Sequence, residues 1–274
     1  MEKQSWQHEL RDRTIADFGE QWTCYTESEG HYGSTALLAD VFGPLLTIDE
    51  LAGKQVVEIG SGSGRIVRIL LDAGAKRIVA IEPSKAVEVL RLNFGELADR
   101  VEVLHCRGED MPVSLQVDYV VSIGVIHHVL EPQPVMAASF RALLPGGRMV
   151  IWVYGAEGNR LAVGAIKSIR SVTIHLPHVV LAMLAHLANL LLDVYLALCR
   201  WLPLPLRDYM RHVIGKFNRS TRHLVIYDQL KPTYARYYTE AEVRSLFVDA
   251  GFVDIRLHNR HNYSWTVIGT RPTT

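Results

Sequence analysis

The stretch Gln55-Val56-Val57-Glu58-Ile59-Gly60-Ser61-Gly62-Ser63-Gly64-Arg65 constrains this chain more than any other. A short apolar run ends in an acidic turn with glycine at every second position. Beyond it Ile66, Val67, Ile69, Leu70 and Leu71 recur at helical spacing, leaving Arg68 and Asp72 for water. A buried strand therefore runs through glycines directly into a helix. Glycine permits positive φ and lets another molecule approach the backbone closely. The helix start adds unpaired N–H groups. Together these are the makings of a nucleotide site.

The chain then alternates. Arg77-Ile78-Val79-Ala80-Ile81 reads as a second strand ending at Glu82-Pro83, and Ser84 opens a helix carrying Val87, Val89, Leu90 and Leu92. Val101 to Cys106 is a third strand, leading into Arg107-Gly108-Glu109-Asp110-Met111-Pro112. Val117 to Gly124 is a fourth, running into Val125-Ile126-His127-His128. A helix from Pro132 to Leu143 and the turn Leu144-Pro145-Gly146-Gly147 precede a fifth strand, Arg148 to Tyr154. Continuous β-branched runs separated by helices indicate a parallel sheet covered on both faces. Later, Thr239 to Glu242 is a capping box opening a helix that Gly251 stops. Phe252 to His258 and Ser264 to Thr270 read as an antiparallel hairpin.

An acid at the end of the second strand suits ribose hydroxyls, which assigns that contact to Glu82. Glu58 is unhelpful beside a pyrophosphate but useful beside a cation. Arg65 also stands where a dinucleotide fingerprint would carry its third glycine. A nicotinamide-dependent oxidoreductase is thereby disfavoured against a site for a cationic nucleoside. A non-catalytic binding protein is the third alternative.

The pattern Glu58-x-Gly60-x-Gly62-x-Gly64 resembles the first motif of class I S-adenosylmethionine (SAM) dependent methyltransferases. So do Glu82-Pro83-Ser84, the Gly108 to Pro112 segment, Asp118 through His128 and Leu144 to Gly147, in that order. The resemblance covers residues 50–155 and 238–271. It implies an α/β, Rossmann-like, seven-stranded and mostly parallel sheet of order 3-2-1-4-5-7-6, with SAM as cofactor. It implies cofactor contacts from Glu58, Gly60, Gly62, Gly64, Glu82, Pro83, Gly108, Glu109 and Ile123. Arg107 stands where many relatives carry an aspartate for the adenine amine. Arginine offers no acceptor, so the Gly108-Glu109 segment is expected to read that group. His127 and His128 lie where the acceptor should sit. Histidine suits proton removal at neutral pH, with His128 placed ahead because a strand-end turn cannot aim both rings inward. Their structural alternative is simple packing. Tyr154, Tyr227, Asp228 and Tyr234 are further candidates.

The expected domains are a helical strap or lid over residues 1–50, the SAM-binding domain over 51–155 and 237–274, and a helical insert or cap over 156–236. The first segment pairs aromatics with glycines, among them Phe18, Trp22, Tyr25 and Tyr32. In the insert, Val179 to Cys199 is apolar except for His186, Asn189 and Asp193, and a basic collar flanks it: Arg170, His175, His178, Arg200, Arg207 and Arg211. Those three polar residues share one helical face. The other faces are therefore expected to be buried, against the active site, a membrane or a lipid-like acceptor. The expected partners are a small-molecule or lipid-like acceptor, peripheral membrane contact through the insert, and no nucleic acid, since the net charge of the 274-residue chain is zero. Three scattered cysteines suit a reducing compartment. Polar residues from Met1 to Arg13 leave no apolar leader, so a cytoplasmic location is expected.

Overall fold

A computed structural model describes residues 2–24, 30–157, 160–173, 176–230 and 233–273. Tyr25 and His175 lie outside the described residues. In chain order the elements are α1 (Glu2–Cys24), α2 (Thr35–Phe42), β1 (Gln55–Ile59), α3 (Arg65–Asp72), β2 (Arg77–Ile81), α4 (Val87–Phe94), β3 (Val101–Leu104), β4 (Val117–Ile123), α5 (Pro132–Ala142) and β5 (Leu143–Tyr154). There follow α6 (Arg160–Thr173), α7 (His178–Leu198), α8 (Arg207–His212), α9 (Arg219–Leu230), α10 (Glu240–Asp249), β6 (Val253–Arg260) and β7 (Ser264–Thr270).

The sheet order is β3-β2-β1-β4-β5-β7-β6, as the resemblance implied. The five strands from β3 to β5 pair in parallel, and β7 runs antiparallel to both β5 and β6. Alternation along β1 explains its continuous apolar sequence. Val56 packs with α2, α3 and α4 on one face, while Val57 and Ile59 pack with α5 and α10 on the other. The capping box forms as read: Glu242 Oε2 accepts from Thr239 N at 2.8 Å, and Thr239 Oγ1 accepts from Glu242 N. Leu92, one of the apolar residues read on α4, is 83% exposed.

The insert also departs from expectation. His186, Asn189 and Asp193 do share one face of α7, but that face is not the solvent side. Asn189 Nδ2 donates to Arg219 O at 2.7 Å, and the Asp193 carboxylate bridges Arg219 and Arg222, both at 2.7 Å. His186, itself exposed, sits at the edge of the α7–α9 seam with its ring 6.3 Å from that of His223 and tilted 57° to it. The polar stripe is thus α7's contact with α9, and much of its apolar surface points outward. A basic partner helix has reversed the usual inside-out sense of an amphipathic helix.

Candidate active site

The cofactor turn takes its shape from two glycines. Gly60 has φ +77°, and a Cβ there would fall 2.4 Å from the Val125 side chain. Gly64, at φ +98°, starts α3, and a Cβ there would fall 2.2 Å from the Phe94 ring. No other residue meets both conditions. Glu82 then pins the turn. Its Oε2 accepts from Gly62 N and its Oε1 from Ser84 N, both at 2.8 Å. The sequence assigned Glu82 to ribose hydroxyls. In the structure it first holds the turn and the start of the next segment, and its remaining lone pairs face the cavity.

That cavity, of about 260 Å³, runs along the carboxyl ends of β1, β2 and β4 and continues under α1 and α9. Of the cofactor residues expected from the sequence, Gly60, Gly62, Glu82, Pro83, Gly108, Glu109 and Ile123 line it. Gly64 stands behind the wall as the start of α3. Glu58 lies beneath the floor, fully buried, and neither carboxylate oxygen has a hydrogen-bond partner among the described residues. Burial pushes its carboxyl up to about 8; the neighbouring Ser61 hydroxyl acts against the rise and the Glu82 charge adds to it. An acid stranded under a backbone cradle fits a ligand that brings positive charge, as the sulfonium and ammonium of SAM do. Arg107, in place of the expected aspartate, pairs with Asp110 at 2.7 Å and Glu109 at 3.4 Å. It therefore orients the segment that the sequence expected to read adenine.

The two histidines separate sharply. His127 is fully buried, does not line the cavity, and has no partner for either ring nitrogen among the described residues. It packs against Tyr154 and Trp152. Burial pushes its imidazole well below the ordinary value, so it is a neutral packing group. His128 lines the cavity. Its Nδ1 lies 2.7 Å from Tyr234 O. A carbonyl only accepts, so Nδ1 carries the hydrogen and Nε2 keeps the lone pair. Burial lowers this imidazole to about 4, while the Asp228 charge acts in the opposite direction.

Asp228, on α9, anchors the polar end of the chamber. Its Oδ1 accepts from Gln21 Nε2 at 3.0 Å and its Oδ2 from Tyr154 OH at 3.1 Å. Gln229 Nε2 donates to Tyr154 OH at 2.6 Å. Burial, and then the Asp228 charge, keeps the Tyr154 phenol well above its ordinary value and so protonated. Aromatic and aliphatic side chains, including Phe18, Tyr32, Trp152, Phe217 and Tyr263, make up most of the remaining lining, with Arg11, Arg65 and Arg260 also at the wall. Tyr227, a candidate in the sequence, sits instead in the α7–α9 contact with Leu181 and Ala185. Of the α1 side chains at the cavity, the sequence reading named Phe18 and Trp22 as strap or lid aromatics but did not single out Thr14 or Gln21. Thr14, Phe18, Gln21 and Trp22 line the cavity at i, i+4, i+7 and i+8. That spacing, on an otherwise charged helix, was the available signal.

Comparison with known proteins places this geometry. Residues 57–151 match the family described as Methyltransferase domain. A tRNA U34 carboxymethyltransferase of Idiomarina loihiensis is 28% identical over 42% of this chain and 38% of its own length. A ubiquinone biosynthesis O-methyltransferase of Thiobacillus denitrificans is 33% identical over 41% of this chain and 47% of its own. The chain thus spans less than half the length of these curated relatives. A solved structure described as a SAM-dependent methyltransferase, possible histamine N-methyltransferase, from Thermotoga maritima superposes with a TM-score of 0.50. That match covers 86% of this chain and 89% of the other at 15% identity, and so speaks for the fold alone. Because one relative is named for tRNA, the expectation of no nucleic-acid partner gains no support. Residues 57–151 thus match the methyltransferase-domain family, and the sheet that carries them has the fold of class I SAM-dependent methyltransferases.

Proposed function

We propose that the protein is a SAM-dependent methyltransferase acting on a hydroxyl of a small, largely apolar or lipid-like acceptor. One observation carries this reading: the cofactor cradle opens into an aromatic chamber roofed by α1 and α9. At its polar end His128 offers a single unprotonated ring nitrogen. Bound SAM supplies an electrophilic methyl group on a sulfonium. The chain's part is to hold, orient and dehydrate. The glycine turn and Glu82 fix the cradle, and Glu58 neutralises positive charge from below. Tyr154 and Gln229 hold the Asp228 carboxylate towards the chamber. His128 Nε2 takes the acceptor's proton, and Asp228 stabilises the imidazolium that results. A low resting basicity keeps His128 neutral and available at pH 7. Alignment of the acceptor with the methyl group in a closed chamber supplies most of the remaining rate.

The test is label transfer. Purified protein, SAM with a tritiated methyl group and a whole-cell extract are combined, then fractionated into small organic-soluble compounds, RNA and protein. Label entering the organic-soluble fraction supports the reading. Label confined to RNA or protein would overturn the small-acceptor assignment, and no transfer, with SAM still bound in calorimetry, would favour a binding protein.

A further inference from the structure

The outward face of α7 is the least expected surface of the molecule. Val179, Met183, Leu187, Leu190, Leu191 and Val194 lie on it, each between 48% and 68% exposed. At roughly 100° per residue they and their apolar neighbours cover one arc of about 140° on a helix about 30 Å long. Val179–Leu198 is apolar enough to cross a membrane by length and composition, yet only 17% of that window is buried. An apolar ridge of this size is far beyond the scattered leucines of an ordinary surface. Trp201, 85% exposed, follows at its end.

A second observation says what covers it. Residues 156–236 hold eleven Lys and Arg against four Asp and Glu, a formal charge of +7 in a chain whose net charge is zero. Exposed Arg200, Arg211 and Lys216 carry no ion pair among the described residues. Apolar ridge and positive charge occur together in this one segment. We propose that α7 docks the protein on an anionic lipid bilayer, lying in the interface plane with its apolar arc in the acyl boundary and basic residues at the phosphates. A second copy of this chain is the poorer occupant, because it would bring two net-positive segments together. Spanning is excluded by the other face of α7. Asn189 and the Asp193–Arg219–Arg222 cluster are committed to α9, and crossing would carry them into hydrocarbon. Nucleic acid would be met by the positive charge but would leave the aliphatic ridge in water. On its far side α9 carries Leu224, Val225 and Asp228 into the chamber, so the docked surface lies one helix layer from the acceptor. The inference rests on the ridge and the charge, and stands whatever the acceptor proves to be.

The experiment is co-sedimentation of the full chain with vesicles of phosphatidylcholine alone or with 30% phosphatidylglycerol, at low and at 0.5 M salt. The comparison variant is Met183→Ser/Leu187→Ser/Leu191→Ser, three exposed positions away from the cavity. Wild type should pellet with the anionic vesicles at least tenfold more than with the neutral ones, and high-salt alkaline washing should release it. The triple variant should bind at least tenfold less while keeping its affinity for SAM. Failure of wild type to pellet, or equal pelleting of the variant, would overturn the proposal. So would a vesicle-independent dimer that the variant converts to monomer, or salt-sensitive binding of tRNA without vesicle binding. Retention in the membrane after the alkaline wash would overturn the interfacial arrangement.

Discussion

Glu58 makes cofactor binding a protonation event. In the protein alone its carboxyl is raised to about 8, because burial removes it from water and so disfavours the charged form. At pH 7 roughly one molecule in eleven then carries the charge. A ligand that brings sulfonium and ammonium charge favours the ionised acid, so binding at pH 7 should release close to one proton. The population that binds best is the ionised one, and the apparent affinity scales with its fraction. Affinity for SAM should therefore rise about tenfold from pH 7 to a plateau above pH 8, at a cost of about 1.4 kcal/mol below it. The assay is titration calorimetry at fixed pH in buffers of different ionisation enthalpy, repeated from pH 6 to 9. The ligand's own amino group titrates in the same range, so Glu58→Gln supplies the baseline. Wild type should show the extra proton and the steeper slope, and the variant should lose both. Above pH 8 the gap between them should reach about 1.5–3 kcal/mol, that of a charge-assisted contact. Equal proton release and equal slope in the two proteins would refute the reasoning.

Other outcomes follow from the same structure. Glu82→Ala should weaken SAM binding at least tenfold and also loosen the turn, since each charge-assisted bond to Gly62 N or Ser84 N is worth about 1.5–3 kcal/mol; unchanged affinity by calorimetry would remove Glu82 from the site. His128→Ala should lower kcat by roughly 10²–10⁴ with little change in SAM affinity, whereas His127→Ala should lower thermal stability through the cavity it leaves among Tyr154 and Trp152. Turnover lost in the second variant and kept in the first would reverse the assignment. His128 is about 4 when folded and 6.5 when free, so the unfolded chain binds its proton first as pH falls. Its stability contribution is full above pH 6.5 and lost towards pH 4, about 2 kcal/mol of it by pH 5. Glu58 titrates in the opposite sense, so the loss is best read by urea unfolding of Glu58→Gln at pH 6.5 and 5, and a flat result there would contradict a buried neutral imidazole.

Particular residues show where the sequence was legible. The glycine turn and the separate strands and helices follow from local patterns, because positive φ and apolar alternation leave marks within a few residues, whereas the strand order came only from the family resemblance. The preference for His128 over His127 was argued from strand alternation, but both lie in one 3-10 turn, Ile126–His128, with ring centroids 4.2 Å apart, and only the packing of distant residues decides which ring meets the cavity. The orientation of α7 was not legible. Its i, i+3, i+7 polar spacing shows that three residues share a face, but not which side the neighbour occupies. That is set by Arg219 and Arg222, some 30 positions later. Glu82 was read as a ligand contact because its strand-end position is local, while its bond to Gly62 N depends on how the turn closes. Gln21 escaped notice for the same reason: its partner Asp228 lies 207 residues away.

That long-range clasp has a consequence for how the molecule comes into being on the ribosome. The cofactor cradle is complete once β4 has been added beside β1, and everything it needs lies before residue 130. The chamber wall needs Tyr263, near the end of the described chain, and a roof that ties the earliest helix to one of the latest. During synthesis the N-terminal helix must therefore wait, unclasped, for some 200 residues. A nascent chain acquires its means of holding SAM well before it can enclose anything to methylate.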